Sequence, residues 1–239
     1  MSNRLTRFLN NCINIVHEHV SQPCLLCGRR CHGAPLCAAC LGELPRLPAA
    51  RCPTCALPTP TGEVCGACLK RPPRFDRCRA VFVYAFPADV LVQQLKYGSE
   101  LALAGFLARQ LAQEVVSHPP PDLILPMPLH PRRLGERGFN QAVELGRQLS
   151  ARLGIPMRLE ACRRVRDTPA QAGLDLEARR RNLRGAFHCT DLKGLRVALL
   201  DDVMTTGASL DELAKAAIDA GAAGVQAWVV ARTLPPRAE

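Results

Sequence analysis

Residues 24–40 read CLLCGRRCHGAPLCAAC, and residues 52–68 read CPTCALPTPTGEVCGAC. Each stretch is C-x2-C, nine residues, then C-x2-C, and every cysteine of the first set recurs 28 positions later in the second. The sets are Cys24, Cys27, Cys37 and Cys40, then Cys52, Cys55, Cys65 and Cys68. A C-x2-C turn sets two thiolates on one side of a tight knuckle, and two knuckles complete a tetrahedral sulfur site suited to zinc. The duplication predicts two zinc ions, both structural, because four thiolates leave no position open for chemistry. Segments so short and so rich in cysteine cannot build a core alone, so the metal supplies the folding free energy. The spacing leaves open whether each unit holds its own ion or the two exchange knuckles. Cys31, with His32 beside it, is expected to be a bystander.

The remaining composition fits a reduced compartment. Residues 1–23 lack the apolar region and small-residue cleavage site of a secretory signal. No run approaches the roughly 18 to 20 apolar residues that span a bilayer. Leu5, Phe8, Leu9, Cys12 and Val16 recur at helical spacing, which predicts a short amphipathic helix over 1–23. The expected location is the cytoplasm, including the inner face of its membrane. Thiols stay reduced there, so thirteen cysteines point to metal rather than to a disulfide framework. A formal charge of +10 favours an anionic partner: nucleic acid, a phosphorylated metabolite or a membrane surface.

KRPPRFDR, residues 70–77, marks a boundary between the ribbons (24–70) and a larger domain (78–239). Within that domain apolar strands at 78–86, 122–130, 195–202 and 225–234 alternate with helical patterns at 88–116, 135–154 and 208–222. The first helical pattern breaks near Gly98, and a short strand is expected near IPMRLEA, residues 155–161. Such alternation predicts a parallel sheet, whose ligands bind at the carboxyl ends of the strands. Residues 162–187 are arginine-rich and show no strand period.

That rule gives meaning to VALLDDVMTTGAS, residues 197–209. An apolar strand runs into Asp201 and Asp202, and Thr205, Thr206, Gly207, Ala208 and Ser209 then turn the chain into a helix. Free N–H groups at a helix N-terminus, flanked by hydroxyls and a permissive glycine, form an anion site. A carboxylate pair beside a phosphate cradle suits a sugar phosphate. The acids would accept hydrogen bonds from adjacent hydroxyls or face a hydrated Mg²⁺.

The same thirteen residues resemble the signature of type I phosphoribosyltransferases, which bind 5-phosphoribosyl-1-pyrophosphate (PRPP) with Mg²⁺. The resemblance implies that Asp201 and Asp202 hold the ribose hydroxyls and that Thr205, Thr206, Gly207, Ala208 and Ser209 hold the 5′-phosphate. Further motifs narrow it. The cysteine knuckles, LKYG (95–98), PMPLHPRRLGERGFNQA (126–142) and Q-x2-L-x4-R-x2-N-x2-G-x-F from Gln171 to Phe187 appear in that order. Together they resemble the ComF family, linked to DNA uptake in natural transformation, from Cys24 to Arg232.

The implied fold is α/β: a parallel-sheet type I phosphoribosyltransferase domain behind a small N-terminal double zinc ribbon. The loop after the first core strand would serve a leaving pyrophosphate through His130, Arg132, Arg133 and Arg137. Residues 162–187 would form a hood, with Lys96, Tyr97, Arg163, Gln171, Arg179 and Asn182 on the lid side. Thr205 stands where the 6-oxopurine enzymes usually carry an aspartate, so base help from this loop is lost and those acceptors are not expected. The expected activity is Mg²⁺-dependent phosphoribosyl transfer from PRPP to an acceptor that no segment names. Weak binding of single-stranded DNA is expected on the basic lid. Two other classes of function stay open: a non-catalytic competence protein binding single-stranded DNA, with ribbons docked on the uptake machinery, and a PRPP-sensing regulator.

Overall fold

The computed structural model describes residues 21–97, 101–167 and 181–235, so the helix expected over 1–23 lies outside the described residues except for Ser21–Pro23, which form a strand instead. Two compact units divide the chain after Leu44. In the first, β1 (Ser21–Pro23) and β2 (Arg30–His32) pair as an antiparallel hairpin, and α1 spans Ala38–Gly42. Cys24 and Cys27 lie on the turn between the strands, and Cys37 is the N-cap of α1.

The larger unit repeats this plan and adds the sheet. Cys65 is the N-cap of α2 (Gly66–Lys70), as Cys37 is of α1. The strands β3 (Arg77–Val83), β4 (Leu123–Pro126), β7 (Arg196–Met204) and β8 (Gly224–Arg232) form one parallel sheet in the order β3-β8-β7-β4. Their runs are apolar because both faces are covered. Ile124, Leu125, Val197, Ala198, Leu199, Leu200, Trp228 and Val229 are all buried.

Helices α3 (Ala88–Tyr97) and α4 (Leu101–Val115) fill the span read as helical from 88 to 116. On α4 the positions Leu103, Leu107 and Leu111 are buried, one face at i, i+4 spacing. The single helix expected over 135–154 is two: α5 (Pro131–Arg137) and α6 (Gln141–Leu153). Gly138 ends α5 at φ +80°, and the Asn140 side chain restarts the helix by accepting from the Ala142 N–H at 2.9 Å. Asn140 also donates to the Met127 carbonyl at 3.0 Å, which ties α6 to the loop after β4. Gly146 brings α6 close to the sheet, since a Cβ there would stand 3.2 Å from Pro126 and 3.3 Å from Leu200.

Near 155–161 the strand reduces to one bridge, Met157 to Ile124. Residues 162–187, without a strand period, contribute β5 (Cys162–Arg164), which pairs antiparallel with β6 (Phe187–Cys189). Cys162 and Cys189 face each other across that pair as a disulfide, with Cα atoms 4.3 Å apart. The last helix, α7 (Ala208–Asp219), packs against β6, β7 and β8.

Candidate functional site

In each cysteine set the four Sγ atoms lie within 4.8 Å of one another. Cys27 and Cys37 sulfurs are 3.8 Å apart, and those of Cys55 and Cys65 are 3.6 Å apart. Four sulfurs about 2.3 Å from a zinc ion impose an edge of about 3.8 Å, so both sets fit the ion. Knuckles are not exchanged: Cys24, Cys27, Cys37 and Cys40 gather in one site, and Cys52, Cys55, Cys65 and Cys68 in the other. Burial pushes the Cys52 thiol up, but backbone N–H donors of Cys65, Cys55 and Thr54 outweigh it and bring it down to about 7. At Cys24 the amides of Cys37, Cys27 and Leu26 likewise overcome burial and bring the thiol to about 6. Backbone amides thus favour thiolate at Cys24 and Cys52, while burial raises Cys55, to about 11, and Cys68, and the Cys27 side chain raises Cys40. These are two tetrathiolate zinc sites.

β7 carries the acid pair to its carboxyl end. Asp201 Oδ1 accepts from the Asp202 N–H at 2.9 Å, and Asp202 Oδ1 from the Val203 N–H at 2.8 Å. Asp202 is 3% exposed, and its Oδ2 lies 2.8 Å from Lys96 Nζ at the end of α3. Burial works against the Lys96 ammonium, but Asp202 and then Asp201 outweigh it and raise its pKa. Burial and the Asp202 charge raise the Asp201 carboxyl well above the usual range, with Lys96 acting against them. Asp201 and residues 203–210 line a small cleft of about 40 Å³.

The turn that follows is open to a ligand. Thr205 and Thr206 are exposed, Gly207 is the N-cap of α7 at φ +82°, and Thr206 Oγ1 accepts from the Ala208 N–H at 3.4 Å. A side chain at 207 would be strained by that φ and would meet Met204 Sδ at 3.4 Å.

The loop after β4 meets Asp167, which follows β5. His130 caps α5 by accepting from the Arg132 N–H at 3.4 Å. Arg132 bonds Glu136 at 3.0 Å and Asp167 at 3.3 Å, and Asp167 lies 3.7 Å from His130 Nδ1. Arg137 donates to Gln141 at 2.7 Å. Arg133 stands on α5 with them. Phe139, Asn140, Arg163 and Arg164 help to line a larger cleft of about 600 Å³ beside this loop. Arg164 stacks its guanidinium 5.7 Å from the Phe187 ring.

Lys96, expected on the lid side, is thus held at the acid pair. Arg163 is exposed on β5, and the Nδ2 of Asn182 is buried without a hydrogen-bond partner among the described residues. Gln171, Arg179 and the side chain of Tyr97 lie outside the described residues. Two residues escaped the sequence analysis. Asp167 is the lone acid of RRVRD, and its pairing with His130 and Arg132 leaves no local signal. Arg232 ends an apolar strand, where a buried arginine looks like the start of a surface tail.

Two tetrathiolate sites, followed by a parallel sheet whose third strand carries an acid pair near its carboxyl end and leads through Gly207 into a helix, define a class: a double zinc ribbon joined to a parallel-sheet α/β domain. The family model of a double zinc ribbon domain matches residues 20–69. The chain is 38% identical over 207 residues to the DNA utilization protein YhgH of Salmonella typhi, covering 83% of this chain and 91% of that one. It is 34% identical over 232 residues to Competence protein F of Haemophilus influenzae, covering 93% and 95%. The chain belongs to the ComF family. Among solved structures it is similar to glutamine PRPP amidotransferase from B. subtilis, with 18% identity, a TM-score of 0.39, and 58% and 30% of the two chains covered. Purine phosphoribosyltransferase from Pyrococcus horikoshii aligns at 19% identity and a TM-score of 0.35, covering 54% and 81%. Among the described residues no helix is long and apolar enough to cross a membrane.

Proposed function

We propose that this chain binds PRPP with Mg²⁺ at the carboxyl end of β7 and transfers its phosphoribosyl group to an acceptor in the handling of incoming DNA. The observation that carries this is the passage, across Val203 and Met204, from an acid pair with Asp202 buried and Asp201 half-buried into the exposed threonines and Gly207 that open α7. The turn has the donors for a 5′-phosphate. Asp201 keeps acceptor capacity for ribose hydroxyls beyond the one backbone amide it holds, while Asp202 holds an amide and also pairs with Lys96. The donor set also fits Mg²⁺, because a carboxylate pair with Asp201 unpaired by any cation at hydrogen-bond distance among the described residues suits an ion that keeps most of its water. When bound, the ion would neutralise charge on the pyrophosphate.

The chain's own groups would do the rest. His130, Arg132, Arg133 and Arg137 would face the leaving pyrophosphate, whose charge grows as its bond to the ribose carbon breaks. Arg132 and His130 are turned toward Asp167, so the ligand's anion would take the place of that carboxylate. Lys96 would remain the counter-charge of Asp202 while Asp201 turns to the sugar. The part in DNA uptake rests on the relatives named for competence and DNA utilization. The exposed arginines Arg163, Arg166, Arg181 and Arg184 support a nucleic-acid contact at the hood.

A pyrophosphate-release assay with PRPP, Mg²⁺ and a panel of bases, nucleotides and single-stranded DNA tests transfer. The expected result is release that depends on one acceptor class and disappears in Asp201→Asn/Asp202→Asn. No release with any of the panel, at saturating PRPP, would contradict transfer and leave a sensor.

A further inference from the structure

The pocket leaves Arg232 unexplained. It is the last residue of β8, 5% exposed, and among the described residues its guanidinium hydrogen-bonds only to backbone carbonyls. Nε donates to Cys55 O at 2.9 Å. Nη1 donates to Met204 O at 3.0 Å, to Thr233 O at 2.7 Å and to Thr205 O. Among the described residues no carboxylate pairs with it. A cation so buried is unfavourable without a counter-charge. Cys55 is a ligand of the second tetrathiolate site. One Zn²⁺ with four thiolates carries a net charge of about −2, so the loaded site supplies the missing anion next to the carbonyl that Arg232 holds. On its other side the same guanidinium fixes Met204 and Thr205, where β7 gives way to the anion turn.

The packing agrees with this link. Cys52, Cys55 and Cys68 share one apolar cluster with Phe75, Met204 and Ala208. The Cys78 N–H donates to Pro53 O at 3.1 Å, which joins β3 to the knuckle. The cysteines of the first site belong to the other compact unit.

We propose that the two zinc sites are not equivalent: the second, through Arg232, positions the phosphate-binding turn, so that zinc at Cys52, Cys55, Cys65 and Cys68 and an anion at Thr205–Ser209 stabilise each other. This rests on the PRPP reading of the turn. Arg232 is here a positioning residue, with no contact to ligand. Coupling of this kind is reciprocal, so the ligand must strengthen the metal's hold as much as the metal strengthens the ligand's.

The test is zinc release from the full-length, zinc-loaded chain to a chromogenic chelator, with and without Mg²⁺ and PRPP. The Cys24→Ser/Cys27→Ser variant identifies which kinetic phase belongs to the second site. The expected result is that PRPP slows that phase by about fivefold or more and leaves the first-site phase unchanged. Arg232→Met should speed release from the second site and remove the effect of PRPP, and Arg232→Lys, which keeps the cation, should restore part of the hold. If Arg232→Met does not fold, the parent comparison stands alone. The proposal is overturned if calorimetry shows PRPP bound while both phases, or neither, respond to it. If calorimetry shows no PRPP binding, the reading of the pocket fails instead. The proposal is then decided by Arg232→Met alone, and an unchanged second-site rate overturns it.

Discussion

Asp201 and Asp202 are adjacent in sequence but differ physically. Lys96 sits on Asp202, whereas desolvation and the like charge of Asp202 act on Asp201 and raise its carboxyl well above the usual range. A carboxyl raised by folding lowers stability as pH climbs from its unfolded value through its folded one, because the charged form is disfavoured in the native state. An amide at 201 removes that cost. Asp201→Asn should therefore raise the melting temperature of the ligand-free protein at neutral pH, by roughly 2 to 4 °C for each 1 kcal/mol recovered, while losing affinity for PRPP. A thermal melt that is unchanged or lower contradicts the assignment of Asp201 as the strained member. The acid pair was legible because DD before TTG is local. Lys96 was not, because a lysine closing a helix carries no mark of the strand it will face.

At the scale of elements, the turn from β7 into α7 depends on Gly207 at φ +82°. Gly207→Ala forces a side chain into that left-handed conformation at a cost of roughly 1–2 kcal/mol. It should weaken PRPP binding more than it changes either zinc site, which calorimetry and metal analysis together can check; equal PRPP affinity in the variant would contradict the cradle. The arginine-rich segment from residue 162 to 187 is harder to read. Strands of three residues, Cys162–Arg164 and Phe187–Cys189, are too short to display a period, so only their charge was legible. The break between α5 and α6 was written in Gly138 and Asn140, but helical spacing on both sides masked it. If the hood's arginines contact single-stranded DNA, replacing exposed Arg163, Arg181 and Arg184 by alanine should flatten the dependence of log K on log salt by roughly 0.7 per lost contact. An unchanged slope would move the contact elsewhere.

For the molecule as a whole, the repeat made both zinc sites legible, since eight cysteines at matched spacing have one economical use. Metal analysis of the reduced protein should give two zinc ions per chain, and one or none would contradict the two sites. The different surroundings of the two sites were not legible, because the ligand spacing is identical and the distinction lies in Arg232, Phe75 and Cys78. The parallel sheet followed from alternating apolar strands and helices, and its order places β7 between β8 and β4, with the acid pair at its carboxyl end. That placement carries the central claim, that this edge of the sheet is a PRPP site. Calorimetric titration of PRPP in Mg²⁺ tests it most directly, using the parent chain and Asp201→Asn/Asp202→Asn. The account predicts saturable, Mg²⁺-dependent binding to the parent and its loss in the double variant. A parent that does not bind, or a double variant that binds as the parent does, would contradict it.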